Sequence, residues 1–177
     1  MGPIGHALVS SAVGGGVWAV TGSPAAAGVT VAVGVLMDAD HVYDYYQRSA
    51  RGIDGKIYVL LHAWEYSLVG LVFMTLGLDH PMFLGAVLAH LAHVGSDHWH
   101  NGLGRFSYSI TYRAIKGFDF ESIAGQRVKA HPDHMHSIRF AFDRKLSLWV
   151  QAKARGWMLR QGGGKHRHEP SVRQADD

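Results

Sequence analysis

Residues 90–102 read HLAHVGSDHWHNG, four histidines and an aspartate closing an otherwise apolar run. Imidazoles and carboxylates are costly to bury without partners, so these either satisfy one another in a polar knot or hold something positive. His93 and Asp97 are four apart and His90 is three before His93, so the three share one face of a helix. His98 and His100 follow the helix end, where Trp99 and Asn101 point to an interfacial rim.

Working back along the chain, this stretch ends the fourth of four apolar runs. Residues 3–20 form the first and stop at TGSP. Pro24 opens the second, AAAGVTVAVGVLM, which stops at Asp38. The third, IYVLLHAWEYSLVGLVFMTLGL, covers residues 57–78, and Pro81 begins the fourth after DHP. Prolines at first turns, with glycine or proline in the breaks, predict four helices. The valines at 29–35 would suit short buried strands, but the runs are long and lack period-two alternation. The expected fold is all-α: an up-and-down bundle of about four apolar helices, membrane-embedded, followed by a basic C-terminal extension with a helix.

A membrane span needs about 20 mostly apolar residues. The third run meets this despite His62 and Glu65, and the other three are shorter, so a soluble helical bundle is the alternative. The 177 residues carry a net charge of +3 that hides an asymmetry. Residues 1–100 hold three Lys/Arg (Arg48, Arg51, Lys56) against seven Asp/Glu, a formal charge of −4. Residues 101–177 hold 14 against seven, or +7. The positive-inside rule then puts both ends of the chain on the cytoplasmic side of an inner or plasma membrane. Membrane lipid is the expected partner. The basic tail has no nucleic-acid reading motif, and nucleic acid is not expected as a partner.

Three regions follow from these shifts: residues 1–102 as the bundle, 103–161 as an extension with a basic amphipathic helix at 137–161, and 162–177 as a disordered tail. RFSYSITYRAIKGFDFES, after residue 104, alternates aromatic and polar residues and reads as extended or irregular. HPDHMH, with His131, Asp133, His134 and His136, reads as a solvated loop, with a fold back to the site as the alternative.

Short connections force neighbouring helices to run antiparallel. In such a bundle His6 (start of the first helix), Asp38, Asp40 and His41 (end of the second), His62 and Glu65 (start of the third), and His90, His93 and Asp97 (end of the fourth) all lie at one end. Asp38 and His41 are three apart, as are His62 and Glu65. Bundled helices build metal sites in this way. The chain has no cysteine, so any ion is held by nitrogen and oxygen. The expected ligands are His6, Asp38, His41, His62, His90, His93 and Asp97. The expected cofactor is a divalent metal, zinc first with manganese or iron as alternatives, in one or more ions.

The order of these motifs resembles the membrane-bound, metal-dependent hydrolases described as LexA-binding, inner-membrane-associated hydrolases. That family is similar in turn to the zinc-dependent phospholipase C and single-strand nuclease superfamily. The resemblance covers roughly residues 1–102. His6 matches the early histidine, and MDADH (Asp38, Asp40, His41) matches PDxDH with Met37 in place of proline. His62 matches the histidine of THS with Ala63 in place of serine, and His93 with Asp97 matches HxxxD. The family's HRG is absent, and DGKIYVL stands there instead.

The resemblance implies metal-assisted hydrolysis of a phosphoester, a small molecule or a phospholipid. Metal lowers the pKa of water and polarises a phosphoryl oxygen, and paired ions about 3.5–4 Å apart clamp the attacking and leaving oxygens. Asp40 or Glu65, whichever is not a ligand, is the expected catalytic base. The alternative is a non-catalytic membrane protein that binds or transports a metal ion.

Overall fold

The computed structural model describes residues 1–52, 55–101 and 103–124, and beyond these residues 145, 148, 149, 152, 153, 156, 157 and 160. The HPDHMH stretch and the tail at 162–177 lie outside the described residues, as does most of the basic helix expected at 137–161. The eight described positions within 145–160 are helical.

Helix α1 (Pro3–Thr21) begins with proline in its first turn and ends at Gly22. Gly22 takes a left-handed φ of 68° and returns its N–H to the Trp18 carbonyl at 2.7 Å. Ser23 then caps α2 (Pro24–Leu36), its hydroxyl accepting from the Ala26 N–H at 3.1 Å. A single 3₁₀ turn (Met37–Ala39) leads into α3 (Asp40–Arg51), so the chain stays helical through Asp44. After a loop come α4 (Trp64–Thr75), α5 (Pro81–Asn101) and two short helices, α6 (Ile110–Ile115) and α7 (Phe120–Ile123). Among the described residues the only β pairing is an isolated antiparallel bridge between Lys56 and Asp119. Helices α1, α2 and α5 pack on one another pairwise, and α4 packs against α5.

The inside of this bundle is small and polar. Ser10 and Gly14 of α1, Thr30 and Gly34 of α2, Ser67 and Gly70 of α4, and Gly85 and His93 of α5 are all buried. Many large apolar side chains point outward: Leu8, Trp18, Val20, Leu36, Leu68, Val72, Phe73 and Leu76 are exposed, while Val17, Met37, Val87 and Val94 are buried. A water-soluble bundle has the opposite arrangement, with its apolar stripe facing the core. Two glycines make the close packing feasible. A Cβ on Gly34 would lie 1.9 Å from Ser10 Oγ of α1, and one on Gly85 would lie 2.5 Å from Thr30 Oγ1 and 2.8 Å from the Ala26 carbonyl oxygen of α2. Among the described residues two helices, Pro3–Thr21 and Pro24–Asp44, are long and apolar enough to cross a membrane, and only 28% and 22% of their apolar windows are buried in the protein.

Two expectations need correction. The third apolar run is not one long helix: residues 57–63 form a loop and α4 covers only Trp64–Thr75. This loop is drawn off the helix axis by polar groups of α3 and α6. The RFSYSITYRAIKGFDFES stretch is not extended either, because it turns at 105–108 and forms α6 and α7. Ser109 caps α6 through the Tyr112 N–H, and Asp119 caps α7 through the Ser122 N–H. A small apolar cluster of Ile57, Val59 and Ile123, with Tyr112 and Phe120 against it, joins these helices to the loop.

Candidate metal centre

The structure gathers six of the expected ligands at one end of the bundle. His6 comes from the first turns of α1, Asp38 from the 3₁₀ turn, His41 from the start of α3, His62 from the residue pair preceding α4, and His93 and Asp97 from the second half of α5. They form two groups of four, His6, Asp38, His93, Asp97 and Asp38, His41, His62, Asp97. Within each group one ligand atom per residue lies within 4.8 Å of all the others. The groups share Asp38 and Asp97.

Between the groups, His62 Nε2 and His93 Nε2 are 2.9 Å apart. Asp38 Oδ1 lies 3.6 Å from His62 Nε2, 3.5 Å from His93 Nε2 and 3.6 Å from His41 Nε2. Asp97 Oδ2 lies 3.5 Å from His62 Nε2, and Asp97 Oδ1 lies 3.0 Å from His6 Nε2. The His6 ring stacks on His93 with centroids 3.7 Å apart. The Met1 α-amino group contacts Asp97 and Asn101.

The far nitrogen of each central ring sets which nitrogen faces inward. His93 Nδ1–H donates to the Gly34 carbonyl at 2.7 Å, and His62 Nδ1–H donates to Asp40 Oδ2 at 3.1 Å. Both rings therefore turn Nε2 to the cluster, the arrangement in which second-sphere acceptors fix metal-binding histidines. Two imidazole lone pairs at 2.9 Å require a proton or a cation between them. For His62, burial works against the charged form, but hydrogen bonds to Asp38 and Asp40 outweigh it and push the pKa up to about 9. A proton on His62 thus occupies the place where an ion would sit.

His6 supplies a further test of fit. It is 1% exposed, its Nε2 lies against Asp97 Oδ1 at 3.0 Å, and its Nδ1 has no hydrogen-bond partner. A sealed imidazole with one unpartnered nitrogen beside two aspartates carries a cost that a bound ion would relieve. The nitrogen and carboxylate donors suit zinc, and manganese or iron next. Access is one-sided: the side chains of Asp38 and His41 are 25% and 53% exposed, whereas His62 and Asp97 are at 1% and 2%.

Three expected site residues are not in either group. His90 is turned away, with Nε2 donating to the Leu61 carbonyl at 3.0 Å and Nδ1 accepting from Ser67 Oγ at 2.6 Å. Both its nitrogens are used in tying α4 and the loop to α5, so it has none left for an ion, and Ser67 has a partner that its sequence position did not reveal. Glu65 points toward α6 instead of the cluster, accepting from Ser109 Oγ at 2.6 Å and the Thr111 N–H at 3.1 Å. Asp40 stands behind His62, its Oδ2 also accepting from the Leu61 N–H at 2.8 Å.

Sequence reasoning missed Asp44 and Arg113. The Asp44 carboxylate accepts from the N–H groups of Tyr58 (2.9 Å) and Val59 (3.2 Å). Arg113, fully buried in α6, donates to the carbonyls of Tyr58 (2.8 Å), Val59 (2.7 Å) and His62 (2.8 Å). An arginine within TYRAIK carries no local signal of such a role. Comparison of the chain with protein-family models, curated proteins and solved structures gives no match.

Proposed function

We propose that this protein is a membrane-bound, metal-dependent hydrolase of phosphoesters, in which two overlapping groups of residues that share Asp38 and Asp97 would hold divalent ions, zinc first. The observation that carries this is the pair of four-ligand groups sharing those two aspartates. His6 and His93 would complete one ion's ligands, and His41 and His62 the other's. When bound, divalent ions in such a site activate water and polarise a phosphoryl oxygen. The protein's own residues do the rest. Gly34 and Asp40 hold the two central imidazoles in the binding tautomer. The bundle interior excludes water behind His6 and Asp97. The opening past Asp38 and His41 admits a substrate from the polar side. The motif resemblance over residues 1–102 supports a phosphoester as substrate.

Membrane embedding is supported by the outward-facing leucines, valines and tryptophan of α1, α2 and α4 and by small residues at the helix contacts, as lipid-embedded helices pack. Helix α1 and the continuous Pro24–Asp44 segment are the two candidates to cross. The basic residues Arg48, Arg51 and Lys56, which follow the second apolar run in the sequence, support a cytoplasmic placement of that end. A phospholipid headgroup then lies within reach of the site.

Hydrolysis of bis-p-nitrophenyl phosphate by the detergent-purified protein tests this. Turnover should need zinc or manganese, stop with chelator and disappear in Asp97→Ala. Stoichiometric metal without turnover on phosphomonoesters, phosphodiesters or phospholipid would favour the non-catalytic metal-binding alternative.

A further inference from the structure

We infer that Arg113 is a positioning residue for the metal centre: from α6, outside the bundle, its guanidinium fixes the loop that presents His62. The inference rests on the metal centre proposed above and brings the segment beyond residue 102 into it.

The chain from Tyr58 to Ala63 has no helix or strand to satisfy its backbone, and buried amides and carbonyls require partners. The two sides of the loop are satisfied by opposite charges. Carboxylates of α3 take its N–H groups: Asp44 those of Tyr58 and Val59, Asp40 that of Leu61. Arg113 takes its carbonyls at Tyr58, Val59 and His62. A rigid fork of donors suits this, whereas a lysine ammonium reaches fewer acceptors as a point charge.

Two further observations indicate that this clamp does more than fill space. Val59, β-branched, sits at a φ of 30°, in the left-handed region. Such a conformation persists only where the surroundings over-determine it, and here Asp44 and Arg113 hold both sides of the same residue. Second, His62 is gripped twice, by Arg113 on its carbonyl and by Asp40 on its Nδ1. The other group's histidines are set by different means: His6 by α1, and His93 by α5 and the Gly34 carbonyl. Loss of Arg113 should therefore weaken one ion and spare the other, which a general loss of folding would not do.

The test is titration of the metal-free, detergent-solubilised full chain with Co2+ and Zn2+, followed by the cobalt absorption spectrum and competition affinities, in the parent, Arg113→Lys and Arg113→Ala. In the parent two ions bind. In Arg113→Ala the first ion should bind as in the parent and the second about 10–100-fold more weakly, as for loss of other outer-sphere supports. Millimolar methylguanidinium should restore the second ion. Arg113→Lys should lie between, and it carries the test if Arg113→Ala does not fold. Two ions bound by Arg113→Lys with parental affinity and spectrum would overturn the positioning role alone. So would equal weakening of both ions in a folded variant. A parent that binds no ion overturns the metal centre, and this role with it.

Discussion

Asp40 and His62 form a pair in which one carboxylate oxygen holds both the imidazole and the backbone beside it: Asp40 Oδ2 accepts from His62 Nδ1 at 3.1 Å and from the Leu61 N–H at 2.8 Å. The aspartate therefore aims His62 Nε2 at Asp38 and Asp97. Asp40→Asn keeps the shape and removes the charge. It should weaken one of two zinc ions about 10–100-fold, read by competition with a chromogenic chelator. Unchanged affinity for both ions would remove Asp40 from this role.

The same pair predicts a pH dependence. The His62 pKa lies near 9 in the folded, ion-free protein and near 6.5 without its partners. A raised folded-state pKa gives stability that is fully present below about pH 6.5 and is lost as pH rises through about 9. The thermal midpoint of the chelated protein should fall across that window. With zinc present the trend should reverse, because the ion takes the neutral ring and releases the proton. A flat or rising midpoint in chelator would contradict the assignment.

Close packing at Gly34 makes a second-site test possible. Its missing Cβ leaves room for Ser10, while its carbonyl anchors His93. Gly34→Ala should cost about 1–3 kcal/mol, the range for overpacking, and should also loosen the His93 ion. Ser10→Gly in the same chain should recover most of the loss. A double variant no more stable than Gly34→Ala alone would mean that the helices do not approach as described.

Glu65 gives a contrast. Its carboxylate fastens α4 to the start of α6 through Ser109 and Thr111. Glu65→Ala should lower stability by about 1–3 kcal/mol, as for a lost charge-assisted cap, while the zinc content stays that of the parent. Loss of an ion in a folded Glu65→Ala protein would bring this residue into the site.

The gathering of His6, Asp38, His41, His62, His93 and Asp97 was legible in the sequence, because short connections dictate antiparallel neighbours and residues spaced by three or four share a face. What was not legible has physical reasons. His90 has the same spacing to His93 as a ligand would have, but Ser67 and the Leu61 carbonyl compete for its nitrogens, and those contacts depend on how α4 leans on α5. Glu65 keeps its helical spacing from His62 only if the helix includes His62, and the chain leaves the helix at Ala63. That break is set by Asp44 and Arg113, which meet the loop from 14 and 55 residues away, and no local pattern reports such pairings. The apolar runs themselves were legible, yet the run over 57–78 yields only the 12-residue α4 because residues 57–63 lie outside the helix.

The shared position of Asp38 and Asp97 is tested most directly by counting zinc per chain in the purified protein and three variants. The parent should carry two ions, His6→Ala and His62→Ala one each, and Asp97→Ala fewer than either, since it belongs to both groups. A parent with no ion, or an Asp97→Ala protein that keeps two, would contradict the two-ion centre.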